Sequence, residues 1–488
     1  MEPIEVLRAH RRAKLEELRR RGIDPYPAAF AVDGRVSELA ARFASTSAEE
    51  LERNVPQVRV AGRVTALRRH GKTAFFDLSD GDGRLQVYLR RDDVGEEVFA
   101  LLEVIDLGDF LGAHGTLFRT RTGELTVRAA ALEVLAKALQ PWPEKWHGVT
   151  DRELRARQRY LDLATNPESR RVFQVRAAVV GAIRRFLEGR GFLEVETPMM
   201  HPIPGGATAR PFVTHHNTLD MQLYLRIAPE LYLKKLVVGG FERVFEINRN
   251  FRNEGISTQH NPEFTMLEFY CAYATYRHLM DFTEELITTV AQEVVGSWRL
   301  PRGAEEIDLT PPWRRLTMRD AVLASSALQS GDLDDRCRLE QAAAALGIDN
   351  PARLSSGKLL AEVFEATAEK RLLNPTFVTD FPADISPLAK RKPAEPHLVE
   401  RFELYVAGME LANAFSELND PDDQRARFEE QVRLGGGVVD EDYLLALEHG
   451  MPPTAGEGIG IDRLVMLLTN SASIRDVILF PLLRPREG

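Results

Sequence analysis

Two neighbouring stretches in the middle of the chain alternate in character at every second position, which is the period of a half-buried β-strand. The first runs from about Arg243 to Arg252 and places on one face Val244, Glu246, Asn248, Asn250 and Arg252. The second begins near Pro262 and places on one face Phe264, Met266, Glu268 and Tyr270. The pattern predicts two strands joined by a polar loop.

The loop between these strands adds Glu254 and His260. With Arg252 and Phe264 they offer a guanidinium for a phosphate, a ring for a stacked base and an acid for an ammonium group. A polar face that is simply solvated is the alternative interpretation, and period alone does not separate the two.

A second predicted hairpin turns at Ala407 and Gly408. That turn pairs Tyr405 with Glu410 and makes Glu403 and Glu410 diagonal neighbours on one face. Two acids on one face repel each other unless a cation lies between them, and a solvated face is again the alternative.

The same strand continues to Asn413 and Glu417. Strict alternation places both on the opposite face from Glu410. If all three belong to one site, a bulge must lie between Glu410 and Glu417.

Short β-rich runs broken by Gly-Lys and Asp-Gly-Asp-Gly turns extend from about Val58 to Val134. Five short strands in this length predict a small barrel of the OB-fold type, which binds single-stranded nucleic acid on strand faces. Phe75 and Gln86 would lie on such a face beside Arg68, although a core role is the default for Phe75.

The rest of the chain is mainly helical in pattern. Apolar residues at helical spacing run from Arg170 to Gly189, before a strand that stops at Pro198. Residues 1–57 begin with a basic helix, residues 141–150 form a proline- and tryptophan-containing linker, and residues 315–375 form a helical insertion. Near the end, Gly456, Gly458 and Gly460 precede a predicted helix that carries Arg463.

These features, in this order, resemble the three signature motifs of class II aminoacyl-tRNA synthetases: motif 1 at about 170–200, motif 2 at about 241–270 and motif 3 at about 454–470. Residues 239–270 are specifically similar to bacterial lysyl-tRNA synthetases. The resemblance implies an α+β fold, with a five-stranded OB-fold barrel over 58–140 and a catalytic domain over 151–488. That catalytic domain would be built on an antiparallel sheet with flanking helices and the helical insertion.

The resemblance implies that ATP and Mg²⁺ bind in the catalytic domain. The catalytic residues it implies are Arg252, Glu410 and Arg463, and the metal ligands are Glu403 and Glu410. The ATP contacts it implies are Arg252, Glu254, His260, Asn261, Phe264, Glu403, Glu410 and Arg463. Phe264 and Arg463 would sandwich the adenine, and Arg252 would bridge the amino-acid carboxylate and the α-phosphate.

The resemblance further implies that lysine is activated and attached to its tRNA. The lysine contacts it implies are Gly206, Glu230, Arg252, Glu268, Tyr270, Asn413 and Glu417. Charge agrees with this choice, because Glu230 suits the α-ammonium, and Glu417 with Tyr270 suits the side-chain ammonium, with Glu268 behind them.

For the tRNA, the resemblance implies anticodon contacts by Arg68, Phe75 and Gln86, and a homodimer formed through motif 1. The family often carries a glutamate on the last barrel strand that reads an anticodon base. Our alignment places Ala131 there, with Glu133 two residues on, so the sequence does not say how the third base is read.

Composition limits the alternatives. The chain has 488 residues, a net charge of −10 and 44% hydrophobic residues, which suits a globular protein of two or three domains and not a generally basic nucleic-acid coat. We expect no DNA partner. Two distant cysteines, no long apolar run and a charged N-terminus predict a cytoplasmic protein without a membrane span.

Two other functions fit parts of the pattern. A lysine transferase acting on a protein acceptor would share the catalytic domain, but such relatives typically lack the barrel. A non-catalytic RNA-binding protein would be expected to lose Arg252, Glu410 or Arg463, and all three are present.

Overall fold

The computed structural model describes residues 3–143, 149–207, 209–434 and 438–485. Two compact units make up the chain, Met1–Arg170 and Arg171–Gly488. Residues 144–148 of the predicted linker lie outside the described residues. The catalytic domain predicted from residue 151 starts earlier than the second unit, and this sequence-based boundary stays a prediction.

The N-terminal unit contains five strands, β1 Gln57–His70, β2 Thr73–Ser79, β3 Arg84–Arg90, β4 Phe110–Arg119 and β5 Leu125–Ala136. Its helices are α1 Ile4–Arg20, α2 Val36–Arg42, α3 Ala48–Asn54, α4 Arg91–Val94, α5 Glu96–Ala100, α6 Arg152–Arg157 and α7 Arg159–Thr165. The next helix, α8 Pro167–Glu188, runs across the boundary into the C-terminal unit.

The five strands close into a barrel in the order β1-β2-β3-β5-β4. Only β3 and β5 run parallel among these neighbours. Buried and more exposed residues alternate along β1 and β3, because one face of each strand packs into the barrel core. The predicted OB-fold barrel is confirmed.

The C-terminal unit contains the remaining strands, β6 Leu193–Glu194, β7 Met200–His201, β8 Val213–His216, β9 Met221–Leu225, β10 Arg243–Phe251, β11 Glu263–Ala272, β12 Arg299–Arg302, β13 Glu305–Asp308, β14 Arg314–Thr317, β15 Thr376–Thr379, β16 Arg401–Val406, β17 Met409–Ser416 and β18 Thr454–Gly460. Its helices after α8 are α9 Glu230–Val238, α10 Tyr276–Val295, α11 Met318–Ser325, α12 Ser330–Asp334, α13 Arg336–Ala345, α14 Ser356–Thr367, α15 Pro421–Arg433, α16 Glu441–Glu448, α17 Ile461–Leu468 and α18 Ile474–Val477.

Eight of these strands form one sheet in the order β14-β15-β16-β17-β18-β11-β10-β6. Its central neighbours are antiparallel, and the two edge pairs, β14–β15 and β10–β6, are parallel. Apolar residues of α8, α10 and α17 pack with residues of the sheet strands in one large core. Helices α11 to α14 form the helical insertion, and they pack in a second core together with residues of β15 and β16, such as Val378 and Tyr405.

The α+β fold class predicted from the sequence is therefore confirmed. The sheet was predicted to be antiparallel, and the parallel pairs at its two edges are a difference that strand patterns do not reveal. Within the described residues, no helix is long and apolar enough to cross a membrane.

Candidate active site

Strands β10 and β11 form the first wall of the site. They pair as antiparallel neighbours, with Glu246 opposite Glu268 and Asn250 opposite Phe264. The predicted polar hairpin is thus confirmed, including the set of residues that share its face. This wall lines a cavity of about 880 Å³ in the C-terminal unit.

The cavity brings together every predicted catalytic-domain site residue except one. Its lining includes Gly206, Glu230, Arg252, Glu254, His260, Asn261, Phe264, Glu268, Tyr270, Glu403, Glu410, Asn413 and Arg463. Glu417 does not line the cavity, because it lies just behind the wall with only 1% of its surface exposed.

Arg252 follows β10 and places its guanidinium 5.1 Å from the centre of the Phe264 ring. Its Nε atom is buried and has no hydrogen-bond partner among the described residues. Burial lowers the pKa of Arg252, and the charges of Glu410 and Glu254 oppose this shift. The site therefore holds a cation with capacity to bind a further anion.

His260 and Arg463 meet at the other side of the cavity. His260 Nε2 lies 3.2 Å from Arg463 Nη2, and its Nδ1 lies 2.9 Å from the Ser257 hydroxyl. Burial and the charge of Arg463 lower the pKa of His260, so the neutral ring accepts a hydrogen bond from Arg463. Arg463 also donates to the main-chain carbonyl of Glu410, and its Nη1 lies 3.4 Å from the Glu410 carboxylate.

Asn261 is buried at the start of the return strand and donates to the Glu263 carbonyl over 2.6 Å. Its amide oxygen is buried without a hydrogen-bond partner among the described residues. That oxygen is available to a donor on a ligand, such as an exocyclic amine.

Strands β16 and β17 form the second wall, and their turn has positive φ at Ala407 (55°) and Gly408 (67°). This is the backbone of a tight two-residue hairpin turn, and it pairs Tyr405 with Glu410 as the sequence predicted. The register then shifts, so that Leu411 is an extra residue and Glu403 lies opposite Asn413.

This bulge is the irregularity that the sequence required between Glu410 and Glu417. Because one residue is inserted, the alternation reverses, and both Glu410 and Asn413 reach the same cavity. Asn413 accepts a hydrogen bond from Arg401 over 3.0 Å, and its amide nitrogen has no acceptor among the described residues, so it can donate to a ligand.

Glu403 is half-buried and accepts hydrogen bonds from Arg401 and from the Tyr405 hydroxyl, each over 2.5 Å. Desolvation raises the pKa of Glu403 to about 7, and the charge of Glu410 adds to this shift even though Arg401 opposes it. Each acid has one arginine partner, Arg401 for Glu403 and Arg463 for Glu410, and the two carboxylates still repel each other.

The third wall carries a group of buried acids. Glu230 begins α9, Glu268 lies on β11, and Glu417 follows β17. Burial raises the pKa of Glu268 to about 8 and raises the pKa of Glu417 above its ordinary value. Tyr270 is buried beside these acids, and burial raises the pKa of its phenol well above the ordinary value.

Gly456 is what allows these groups to approach each other. A β-carbon there would lie 2.2 Å from the Tyr270 ring and 2.3 Å from Glu417 Oε1, and real β-carbons do not come so close to neighbouring atoms. The first glycine of the β18 run is therefore required by the side chains packed against it. Gly206 has a positive φ of 86°, and a β-carbon built there would lie 3.3 Å from the β-carbon of Glu230, a tight contact.

The sequence missed one residue of this pocket. Lys234 lies one turn after Glu230 on α9, and its ammonium is 2.6 Å from Glu230 Oε1 and also contacts Glu417. The i, i+4 spacing of an acid and a base was visible, but such a pair is ordinarily a surface feature. Its position inside a largely apolar run was the only sign of burial.

On the barrel, Arg68, Phe75 and Gln86 lie on the outward face that the sequence predicted. Arg68 pairs with Phe75 across β1 and β2, and Gln86 accepts a hydrogen bond from Thr126 over 3.1 Å. The Phe75 ring is partly exposed and lies 4.9 Å from the ring of Tyr88. Phe75 is thus a surface ring and not part of the barrel core.

The position of Ala131 in the barrel does not support aligning it with the glutamate that reads an anticodon base. Ala131 pairs with His114, whereas Gln86 pairs with Thr126 five residues earlier on β5. Two acids lie close to this pair of residues. Asp77 is the cross-strand partner of Gln86, and Glu124 lies 3.1 Å from Arg84, which also pairs with Asp77.

A closed OB-fold barrel, and a sheet whose cavity combines the motif 2 arginine, the motif 3 arginine and paired acids, define a class II aminoacyl-tRNA synthetase with an anticodon-binding domain. Residues 151–484 match the family model of class II tRNA synthetases for D, K and N, and residues 58–135 match that of the OB-fold nucleic acid binding domain.

Within this class, the chain belongs to the family of the lysine–tRNA ligases. It is 54% identical to the lysine–tRNA ligase of Pelotomaculum thermopropionicum, over 100% of this chain and 96% of that protein. It is 53% identical to those of Carboxydothermus hydrogenoformans, over 97% of each, and Moorella thermoacetica, over 99% and 98%.

Proposed function

We propose that this protein activates L-lysine with ATP, releasing pyrophosphate, and transfers the lysyl group to the 3′-terminal adenosine of the lysine tRNA. The observation that carries the choice of lysine is the charge of the third wall. Lys234 contacts two of the three buried acids, Glu230 and Glu417, and within the described residues no ion pair joins it to the third, Glu268. Apart from Arg252, which is assigned to carboxylate and phosphate groups below, the three acids have one cation between them, and lysine supplies two ammonium groups.

The neighbouring charged pair does not alter this count. Arg226 is buried, with 1% of its surface exposed, and donates to Glu246 over 2.7 Å. This pair is neutral as a unit. Burial, with the charges of the neighbouring acids, raises the pKa values of Glu268 and Glu417, and a doubly positive ligand would favour their ionised forms.

Within this pocket we assign the α-ammonium of lysine to Glu230 and the carbonyl of Gly206. The side-chain ammonium is assigned to Glu417 and Tyr270, with Glu268 behind them. The carboxylate of lysine is assigned to Asn413, whose amide is free to donate, and to Arg252.

Activation needs attack by the lysine carboxylate on the α-phosphorus of ATP. Arg252 is placed to bridge both groups, because its guanidinium is buried, incompletely partnered and aimed into the cavity. A cation held there before the reaction stabilises the negative charge that builds at phosphorus. No side chain has to form a covalent intermediate, so positioning and charge are the protein's contribution.

The ATP is assigned to the opposite end of the cavity. Phe264 supplies a ring for the adenine, and Arg463 would face it from the other side. Asn261 and Glu254 are assigned to the adenine end, and His260 to the outer phosphates. Each of these residues lines the same cavity.

Glu403 and Glu410 suit Mg²⁺. Their oxygens are hard ligands, and the charge of Glu410 adds to the raised pKa of Glu403, a repulsion that a bound cation would relieve. Mg²⁺ commonly takes one or two carboxylates and completes its coordination with substrate phosphates and water. Bound there, the ion would supply charge stabilisation for the phosphates and the leaving pyrophosphate.

We further propose that the barrel reads the anticodon through Phe75, Gln86 and Arg68. A partly exposed ring can stack on a base, and its neighbours offer an amide and a guanidinium. We also propose a homodimer through motif 1, where Leu193, Met199 and Met200 are 47%, 48% and 54% exposed. Light scattering after size-exclusion chromatography tests the dimer.

The activation step is tested by ATP–pyrophosphate exchange with each of the twenty amino acids in the absence of tRNA. We expect exchange with lysine and at least a hundredfold less with any other amino acid. Equal exchange with an acidic or neutral amino acid would overturn the assignment of the pocket.

A further inference from the structure

Lys234 is a buried cation that the assigned reaction does not yet use. It lies on α9, its side chain has no exposed surface, and its ammonium contacts one oxygen of Glu230 and one oxygen of Glu417. Although burial alone would lower it, the charges of Glu230 and Glu417 raise the pKa of Lys234, so the side chain is ionised.

The surroundings of this ammonium are otherwise apolar or neutral. The rings of Phe415 and Tyr443 lie 5.3 and 6.0 Å from it. The Tyr443 hydroxyl has no hydrogen-bond partner among the described residues. In the described part of the chain, no other cation replaces Lys234 as the positive partner of the two acids.

The contacts of Lys234 divide the oxygens of both acids into two sets. Lys234 binds Oε1 of Glu230 and Oε2 of Glu417. Neither oxygen of Glu417 has a hydrogen-bond partner within the described residues, so its contact with Lys234 is an ion pair through Oε2, whereas Oε1 lies beside Gly456. The ammonium therefore orients each carboxylate and leaves the other oxygen for a ligand.

The count of charges gives Lys234 a second role. Two ammonium groups of lysine balance two of the three acids, and the third would remain a buried, unpaired charge without Lys234. Such a charge is costly, because its desolvation is not compensated. With Lys234 present, the occupied pocket is neutral.

We propose that Lys234 is a positioning residue for the amino-acid substrate, which balances the third buried carboxylate and turns Glu230 and Glu417 toward the two ammonium groups of lysine. This inference rests on the proposed function. It deepens that function by naming the residue because of which the three acids accept a ligand with two ammonium groups and not one with three.

The test is a charge-compensation cycle of Lys234→Met and Glu268→Gln, read as the KM for lysine and for ATP in pyrophosphate exchange. Lys234→Met leaves one acid in excess, and Glu268→Gln leaves one cation in excess. Each single change should raise the KM for lysine at least tenfold and leave the KM for ATP within twofold. The double change restores the balance and should bind lysine at least threefold better than the worse single variant.

Lys235→Met is the matched control. Lys235 is the next residue of α9 and pairs with Asp442, of which 80% of the side chain is exposed. Removing this charge should leave the KM for lysine unchanged.

A double variant whose loss equals or exceeds the product of the two single losses would overturn the proposal. If Lys234→Met does not fold, a folded and active double variant supports it, because balance has then been restored. If neither folds, Lys234 serves the core and the proposal is wrong. A wild-type protein that shows no exchange with lysine would instead overturn the proposed function.

Discussion

We propose that Glu417 determines the choice of lysine, and replacing it with glutamine is the most informative single change. Glutamine keeps the shape and one acceptor oxygen but removes the charge. The site is 1% exposed, so water cannot take over the role of the lost carboxylate. The substrate's side-chain ammonium would then be buried without its partner.

The size of the effect follows from this burial. Removing one partner of a buried ion pair costs roughly 3–5 kcal/mol. The lower end applies here, because Glu268 and Tyr270 remain beside the substrate and Lys234 remains paired with Glu230. We therefore expect a loss of about 3 kcal/mol, which is on the order of a hundredfold.

The assay is lysine-dependent ATP–pyrophosphate exchange. The loss should appear in kcat/KM for lysine, and the KM for ATP should change little, since the ATP end of the cavity is untouched. Glu230→Gln serves as the comparison, because an acid that holds the α-ammonium affects every amino acid alike.

The contrast is made with lysine and norleucine, whose side chain ends in a methyl group. Wild type should strongly prefer lysine, and Glu417→Gln should lose most of that preference, whereas Glu230→Gln should keep it. If the preference survives in Glu417→Gln and disappears in Glu230→Gln, the two ends of the pocket have been assigned in reverse.

Three further outcomes are expected. Glu410→Gln should reduce adenylate formation at least tenfold more than it reduces lysine binding measured by calorimetry; equal losses would refute the metal assignment. Phe75→Ala should weaken tRNA charging by about 1–3 kcal/mol, the worth of one stacked base, while pyrophosphate exchange persists; a parallel collapse of exchange would refute its role. Glu457→Gln should become more stable relative to wild type as pH rises from 5 to 9 in thermal melts. If the melting temperatures of the two proteins change in parallel with pH, Glu457 does not have a raised pKa.

Glu457 is buried on β18, with 2% of its surface exposed. The Thr283 hydroxyl lies 2.7 and 2.6 Å from its two oxygens and also donates to the Leu279 carbonyl. One hydroxyl proton cannot serve all these acceptors, so a neutral Glu457 donates to Thr283. A glutamine amide can make the same hydrogen bond.

Burial raises the pKa of Glu457 well above 4.5. A folded-state pKa above the unfolded value means that the stabilising contribution is complete below about pH 4.5 and declines as pH rises toward the folded pKa. Glutamine does not titrate, so its advantage should grow by up to about 1.4 kcal/mol per pH unit in that window. In the sequence Glu457 is only a residue between glycines, and its burial against α10 is not visible there.

The two hairpins show what the sequence could predict. Period two and the Ala407-Gly408 turn are local properties, so the shared faces and the Tyr405–Glu410 pairing follow from the sequence alone. The need for a bulge also followed from the alternation of Glu410 and Glu417. Its place at Leu411 did not, since a bulge depends on how β16 and β18 hold the strand from both sides.

Lys234 and Glu124 show the opposite case. Their roles arise from elements distant in sequence, because Lys234 meets Glu417 and Glu124 meets Arg84 only after folding. Sequence spacing alone reveals neither contact. Local patterns of residues in the sequence carry no information about contacts between segments that are distant in the chain.

The most direct test of the central claim is aminoacylation of total tRNA with lysine and ATP, followed by identification of the tRNA species that carry the amino acid. The assigned pocket and barrel predict that lysine is attached, at the terminal adenosine, to tRNAs with a lysine anticodon, and that Glu417→Gln loses this charging. Attachment of lysine to a protein, charging of tRNAs with other anticodons at similar rates, or full charging by Glu417→Gln would contradict it.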